Sequence, residues 1–237
     1  MSRRFEELDG RATPIGDISL RRRVEPTLKI DVYEVRLGDE YLMSSLFTVA
    51  EEELARLGLA AVAHDDLDVV VGGLGLGCTA AAALGDPRVR SLHVVEALDA
   101  VIDWHERSLL PLSATLLSDP RCAFVQGDFF AVVAGDAGFG PTVPRPVDAV
   151  LLDIDHTPRH VLHPSHVAFY APAGLARLAG LLRSGGVFAL WSDDPPDEPF
   201  LDVLRQVFRC PAAHVVSFAN PLTGGKSTNT VYVAVAP

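Results

Sequence analysis

From Asp66 onward, short apolar runs alternate with amphipathic stretches. The runs Asp68–Gly72, Ser91–Glu96, Cys122–Gln126, Val147–Asp153 and Val187–Trp191 have the length and Val/Leu/Ile content of buried strands. Helical patterns lie between them at Thr79–Leu84, Leu98–Leu110 and His166–Leu182, and Glu198–Phe208 follows the fifth run. Such alternation predicts an α/β fold whose parallel sheet is covered on both faces. His214–Ala219 and Thr230–Val235 have only Asn220–Gly225 and a few more residues between them, so they predict an antiparallel C-terminal hairpin.

The N-terminal part has a different rhythm. Leu28–Leu37 reads as a strand, Gly38-Asp39 as a turn, and Glu40–Ser45 as the returning strand of a short β-hairpin. Thr48-Val49-Ala50-Glu51 has capping-box spacing and opens a helix from Glu51 to about Val62, with Leu54, Leu57 and Leu59 for burial. In residues 1–27, Arg3, Arg4, Arg21, Arg22 and Arg23 interleave with acids, which predicts a flexible, solvated arm. Three segments result: an arm over 1–27, a hairpin and helix over 28–63, and a nucleotide-fold domain over 64–237.

Composition narrows the class. Hydrophobic residues make up 49% of the 237, enough for a sizeable core. The net charge of −11 offers no basic footprint and argues against nucleic acid as a partner. A small cationic or neutral acceptor suits it better. No apolar run reaches the ~18 residues of a membrane span, and the first residues carry no signal-peptide pattern. Cys78, Cys122 and Cys210 are odd in number and irregular in spacing, which predicts a reducing, cytoplasmic setting without disulfides.

The first buried run ends in Val69-Val70-Val71-Gly72-Gly73-Leu74-Gly75-Leu76-Gly77-Cys78. A glycine turn between strand and helix lets a ligand approach the backbone closely. Gly73, Gly75 and Gly77 are spaced GxGxG rather than GxGxxG, which suits a nucleoside without a pyrophosphate. Glu96 ends the second strand 23 residues after Gly73, near the offset at which an acid meets ribose hydroxyls. Ala97 follows it. Gly127, Asp128 and Phe129 follow the third strand, where Asp128 could accept from an adenine amino group and Phe129 stack near the ring. Taken singly, Glu96 and Asp128 read equally as helix caps.

Gly72-Gly73-Leu74-Gly75-Leu76-Gly77, Val94-Val95-Glu96, Asp119-Pro120-Arg121 leading to Gly127-Asp128-Phe129-Phe130, Leu151-Leu152-Asp153 and Ala168-Phe169-Tyr170 resemble the spermidine synthases. The resemblance covers roughly residues 30 to 195. It implies a Rossmann-like class I AdoMet-dependent transferase fold: a mostly parallel seven-stranded sheet with an antiparallel C-terminal hairpin, plus the N-terminal β-hairpin and helix. It also implies AdoMet or decarboxylated AdoMet as the cofactor, no metal, and a homodimer as the assembly. Val71 fits this family better than ordinary methyltransferases, which commonly carry an acid there. The departures lie on the amine side. Gly75 stands where the family has an Asp, His156 where it has a second Asp, Ala50 near a family Tyr, and Met43 near a family Gln.

The loop Leu152-Asp153-Ile154-Asp155-His156-Thr157-Pro158-Arg159-His160 leaves the strand end that the resemblance places beside the sulfonium. Asp153 matches the family's general base, and Asp155 and His156 are further candidates for proton transfer. As a strand-end residue, Asp153 reads equally as a turn cap. Tyr170, Trp191 and Asp193 are candidate walls of an acceptor pocket. His160, His163 and His166 with Asp155 invite a metal, but Pro158 and Pro164 prevent a single ligand-bearing helix, and loop histidines are the simpler reading. Cys78 opens a helix, where a dipole lowers a thiol pKa, or simply packs.

Three functions follow. Gly75 removes a negative charge from where the carboxylate of intact AdoMet would lie, so methyl transfer to a small molecule, with Asp153 as base, is the leading expectation. Aminopropyl transfer from decarboxylated AdoMet through a rebuilt amine pocket is the alternative, with Asp153, Asp155, Asp193 and Asp194 as available carboxylates. A nucleoside-binding protein without catalysis is the third.

Overall fold

The structure is a computed structural model that describes residues 5–135 and 138–237, so Arg3 and Arg4 of the expected arm lie outside it. Four strands open the chain: β1 (Phe5–Thr13), β2 (Gly16–Val24), β3 (Asp31–Leu37) and β4 (Glu40–Ser44). They form one antiparallel sheet in that order. Over the described residues 5–24 of the arm expected at 1–27, the chain is thus strand and not flexible arm. The alternating charges pair across strands, Arg22 reaching Glu6 at 2.7 Å and Arg23 reaching Glu34 at 2.6 Å, while Arg23 also meets Glu25, two residues on, at 2.8 Å. Ile18 and Leu20, just ahead of those arginines on β2, are buried with Val35 in the main core. The expected hairpin is thus the second half of a four-stranded sheet.

Helix α1 (Val49–Ala60) follows, then β5 (Leu67–Gly72), α2 (Cys78–Leu84), β6 (Val89–Glu96), α3 (Asp99–Glu106), α4 (Ser113–Ser118), β7 (Cys122–Gln126), α5 (Phe129–Ala134), β8 (Val147–Leu152), α6 (Pro172–Ala179), β9 (Leu182–Ser192), α7 (Glu198–Arg205), β10 (Arg209–Asn220) and β11 (Gly225–Val235). The large sheet has the order β10-β11-β9-β8-β5-β6-β7. Strands β5 to β9 are parallel neighbours, and β11 runs antiparallel to both β9 and β10. Every residue of β5 and β8 is buried, as both-face coverage requires. Val69 and Val71 belong to the core on one face, Val70 and Val95 to the core on the other.

Helix α1 lies on this sheet rather than with the small one. A Cβ on Gly58 would come within 2.6 Å of Leu151 and 3.0 Å of Ala189, so glycine permits the close approach. Thr48 makes no side-chain cap to the backbone; its hydroxyl donates to Glu52 Oε1 at 2.9 Å. The expected helix His166–Leu182 is a 3-10 turn (Pro164–Tyr170) followed by α6, because Pro164 and Pro172 each restart the chain direction. Helix α3 stops near Ser108, whose backbone is left-handed, short of the expected Leu110. Helices α4 and α5 were not foreseen. No helix among the described residues is long and apolar enough to cross a membrane. Cys78, Cys122 and Cys210 are free.

Candidate active site

The glycine turn leaves β5 at the carboxyl end of the sheet, where open α/β sheets bind ligands. Gly73, Gly75 and Gly77 have φ of 95°, 47° and 88°, a region that disfavours side chains. Gly73 is also packed on the main chain of Asp153, with Asp153 N donating to Gly72 O at 2.8 Å. The turn is held from below by His105, which sequence reasoning missed. Its Nε2–H donates to Gly75 O at 2.9 Å, and Ser113 Oγ donates to Nδ1 at 3.3 Å. Burial keeps this imidazole below its usual basicity, so it is neutral at physiological pH.

Beside the turn is a cavity of about 480 Å³. The turn, the ends of β8 and β9, α1, β4 and the β10–β11 hairpin enclose it. Three carboxyl groups line it: Glu51, Asp153 and Asp193. Thr79 Oγ1 donates to Asp153 Oδ2 at 2.7 Å. Burial nevertheless pushes the Asp153 carboxyl up to about 6. Burial, then the Asp153 charge, pushes Glu51 up to about 8. At neutral pH Asp153 is therefore ionised while Glu51 holds its proton. Asp193 accepts from Asn229 Nδ2 at 2.7 Å, and its amide donates to His156 O at 2.8 Å. Trp191 lines the cavity too, and its buried Nε1–H has no partner among the described residues. Lys226 is the lysine or arginine among the lining residues. Cys78 faces the same space, but burial drives its thiol up to about 12, opposite to a dipole-activated nucleophile.

The other expected site residues fall elsewhere. Asp155 does not line the cavity. It is buried, and it accepts from Leu162 N at 2.7 Å, His166 Nδ1 at 2.8 Å and Tyr170 Oη at 2.8 Å. Asp155 and Tyr170 thus organise the loop from within, and burial holds the phenol well above its usual pKa and protonated. His166 stacks on Phe130 with centroids 3.8 Å apart. His156 lines the cavity mouth and reaches Glu40 Oε1 at 3.2 Å, with His160 at 3.9 Å from the same oxygen. His163 turns to Ser165 Oγ at 2.7 Å, so the three further histidines point to different partners.

The nucleoside side is mixed. Glu96 is buried, accepting from Leu74 N at 2.9 Å and Leu98 N at 2.8 Å, and burial raises its pKa. Its carboxyl is fixed against the glycine turn, with the Gly75 and Ala97 amides bonding to it as well. Ala97 and Asp128 are exposed at the adjoining strand ends, and Gly127 N donates to Glu96 O at 2.9 Å. Asp128 caps α5, with Oδ1 accepting from Phe130 N at 2.9 Å and Ala131 N at 3.2 Å. Phe129 is a core residue against Phe130, Phe139 and Phe169, not a free stacking face.

Sequence reasoning also missed Glu51. In the sequence it opens an amphipathic helix, and nothing local ties it to Asp153, 102 positions away.

No family model and no curated protein matches the chain. Solved structures do share its fold. A spermidine synthase in complex with the transition state analogue AdoDATO superposes with a TM-score of 0.73 at 16% identity, covering 98% of this chain and 74% of that one. The spermidine synthase from Thermotoga maritima gives 0.71 at 16% identity, with 98% and 73% covered.

Proposed function

We propose, from the premise of this spermidine synthase-like α/β fold, that the chain is an aminopropyltransferase with a rebuilt amine pocket. It would move the aminopropyl group of decarboxylated AdoMet to a small amine. The observation that carries the reading is the convergence of Glu51, Asp153 and Asp193 on one cavity beside the glycine turn. Ammonium groups leaving water need carboxylates in return, and these supply them.

The expectation of methyl transfer rests on Gly75 and on the missing amine acids. A Cβ on Gly75 would meet Met43 Sδ at 2.8 Å, so the space is taken by a thioether and not opened to a carboxylate. The neighbouring acids would also repel the carboxylate of intact AdoMet. Lys226 is the feature that favours intact AdoMet, and methyl transfer is the second reading for that reason.

In the proposed reaction the acceptor nitrogen bonds to the aminopropyl carbon attached to sulfur. The C–S bond breaks, its electron pair neutralises the sulfonium, and methylthioadenosine leaves. Asp153, ionised above about pH 6, receives the proton lost by the amine. The leaving group is already activated, so alignment in the cavity supplies most of the remaining catalysis. Calorimetry tests the donor: decarboxylated AdoMet should bind more tightly than AdoMet, and the reverse order would support methyl transfer.

A further inference from the structure

Glu51 projects from the first turn of α1 into the cavity that Asp153 enters from the end of β8. The two elements meet at one hydroxyl: Thr79 Oγ1 is 2.7 Å from Asp153 Oδ2 and 3.4 Å from Glu51 O. The groups facing Glu51 are mostly acids: Asp153, Asp193 at the end of β9, and Glu52 on its own helix. Cys78 on α2 is an un-ionised thiol, His156 stands at the mouth, and Lys226 comes from the hairpin.

We propose that Glu51 is a second acid of the acceptor subsite, and that an ammonium entering the cavity expels its proton to solvent. This rests on the amine-acceptor reading above. The step balances simply: a neutral carboxylic acid and an ammonium become a carboxylate–ammonium pair and one released proton. A cation beside the carboxyl favours its ionised form, and two carboxylates without one repel each other. The pair thus tells an amine from a neutral acceptor by charge. It also lets the empty cavity hold one proton rather than two adjacent charges.

The test is calorimetric titration of the full chain with 1,4-diaminobutane, without donor, at pH 7 in buffers of different ionisation enthalpy. Wild type should release close to one proton per diamine bound. Glu51→Gln should abolish the release and weaken binding about tenfold or more, as for loss of a charge-assisted bond. A far-ultraviolet spectrum and donor affinity like wild type show that the variant is folded. Equal release by Glu51→Gln, binding without release, or no diamine binding by wild type would overturn the proposal. Because no turnover is read, proton release without any polyamine product would leave Glu51 in place and remove the aminopropyl reading instead.

Discussion

Thr79 Oγ1 donates a 2.7 Å hydrogen bond to Asp153 Oδ2, joining the first helix after the glycine turn to the strand end that carries the candidate base. The bond opposes the effect of burial and favours the ionised carboxylate. Thr79→Val keeps the shape and removes the donor. The acid limb of the rate profile, set by Asp153 at about 6, should move up by about one unit, read from kcat/KM against pH. Donor affinity should stay close to wild type.

Asp153 is held away from its ordinary pKa of 3.8, and this costs stability. Between about pH 4 and 6 the native protein keeps a proton that the unfolded chain has released. Stability therefore falls as pH rises through that window, and the full cost is present above it. Asp153→Asn should stabilise the protein at pH 7.5 by about 1–3 kcal/mol while abolishing turnover. Urea unfolding at pH 4 and pH 7.5 checks this; equal stability of variant and wild type at the higher pH would contradict it.

Gly75 combines a left-handed backbone with contact to Met43. Gly75→Ala should destabilise by about 1–3 kcal/mol, from strain plus overpacking. Adding Met43→Ala relieves the packing part and leaves the strain part, so thermal unfolding of the double variant should fall between Gly75→Ala and the Met43→Ala control after correction for that control.

Asp155 is a folding residue here. Asp155→Asn disturbs a buried acceptor serving three donors and should cost about 2–4 kcal/mol. Tyr170→Phe removes one of the three and should cost about 1 kcal/mol. The rate profile of Tyr170→Phe should keep its acid limb, since neither residue reaches the cavity.

The layer order, five parallel strands and the C-terminal hairpin were legible because buried strands are written as local apolar runs. The glycine turn was legible for the same local reason: positive φ leaves glycines behind. The N-terminal sheet was not, because Arg21 and Arg22 become ion pairs with Glu7 and Glu6 only once β1 and β2 are in register. Asp153 was found from the family resemblance at its strand end. Glu51 and His105 were not, since their roles come from contacts across the fold, to Asp153 and to Gly75 O. Asp155 and Tyr170 looked alike in chemistry to site residues, and only their burial against each other separates them from the cavity.

The central claim is the group transferred. The most direct measurement incubates the purified chain with decarboxylated AdoMet and 1,4-diaminobutane, and in parallel with AdoMet, and identifies the products by mass spectrometry. Methylthioadenosine together with an amine lengthened by one aminopropyl unit is the predicted result. S-adenosylhomocysteine with a methylated amine, and no methylthioadenosine from the decarboxylated donor, would contradict it.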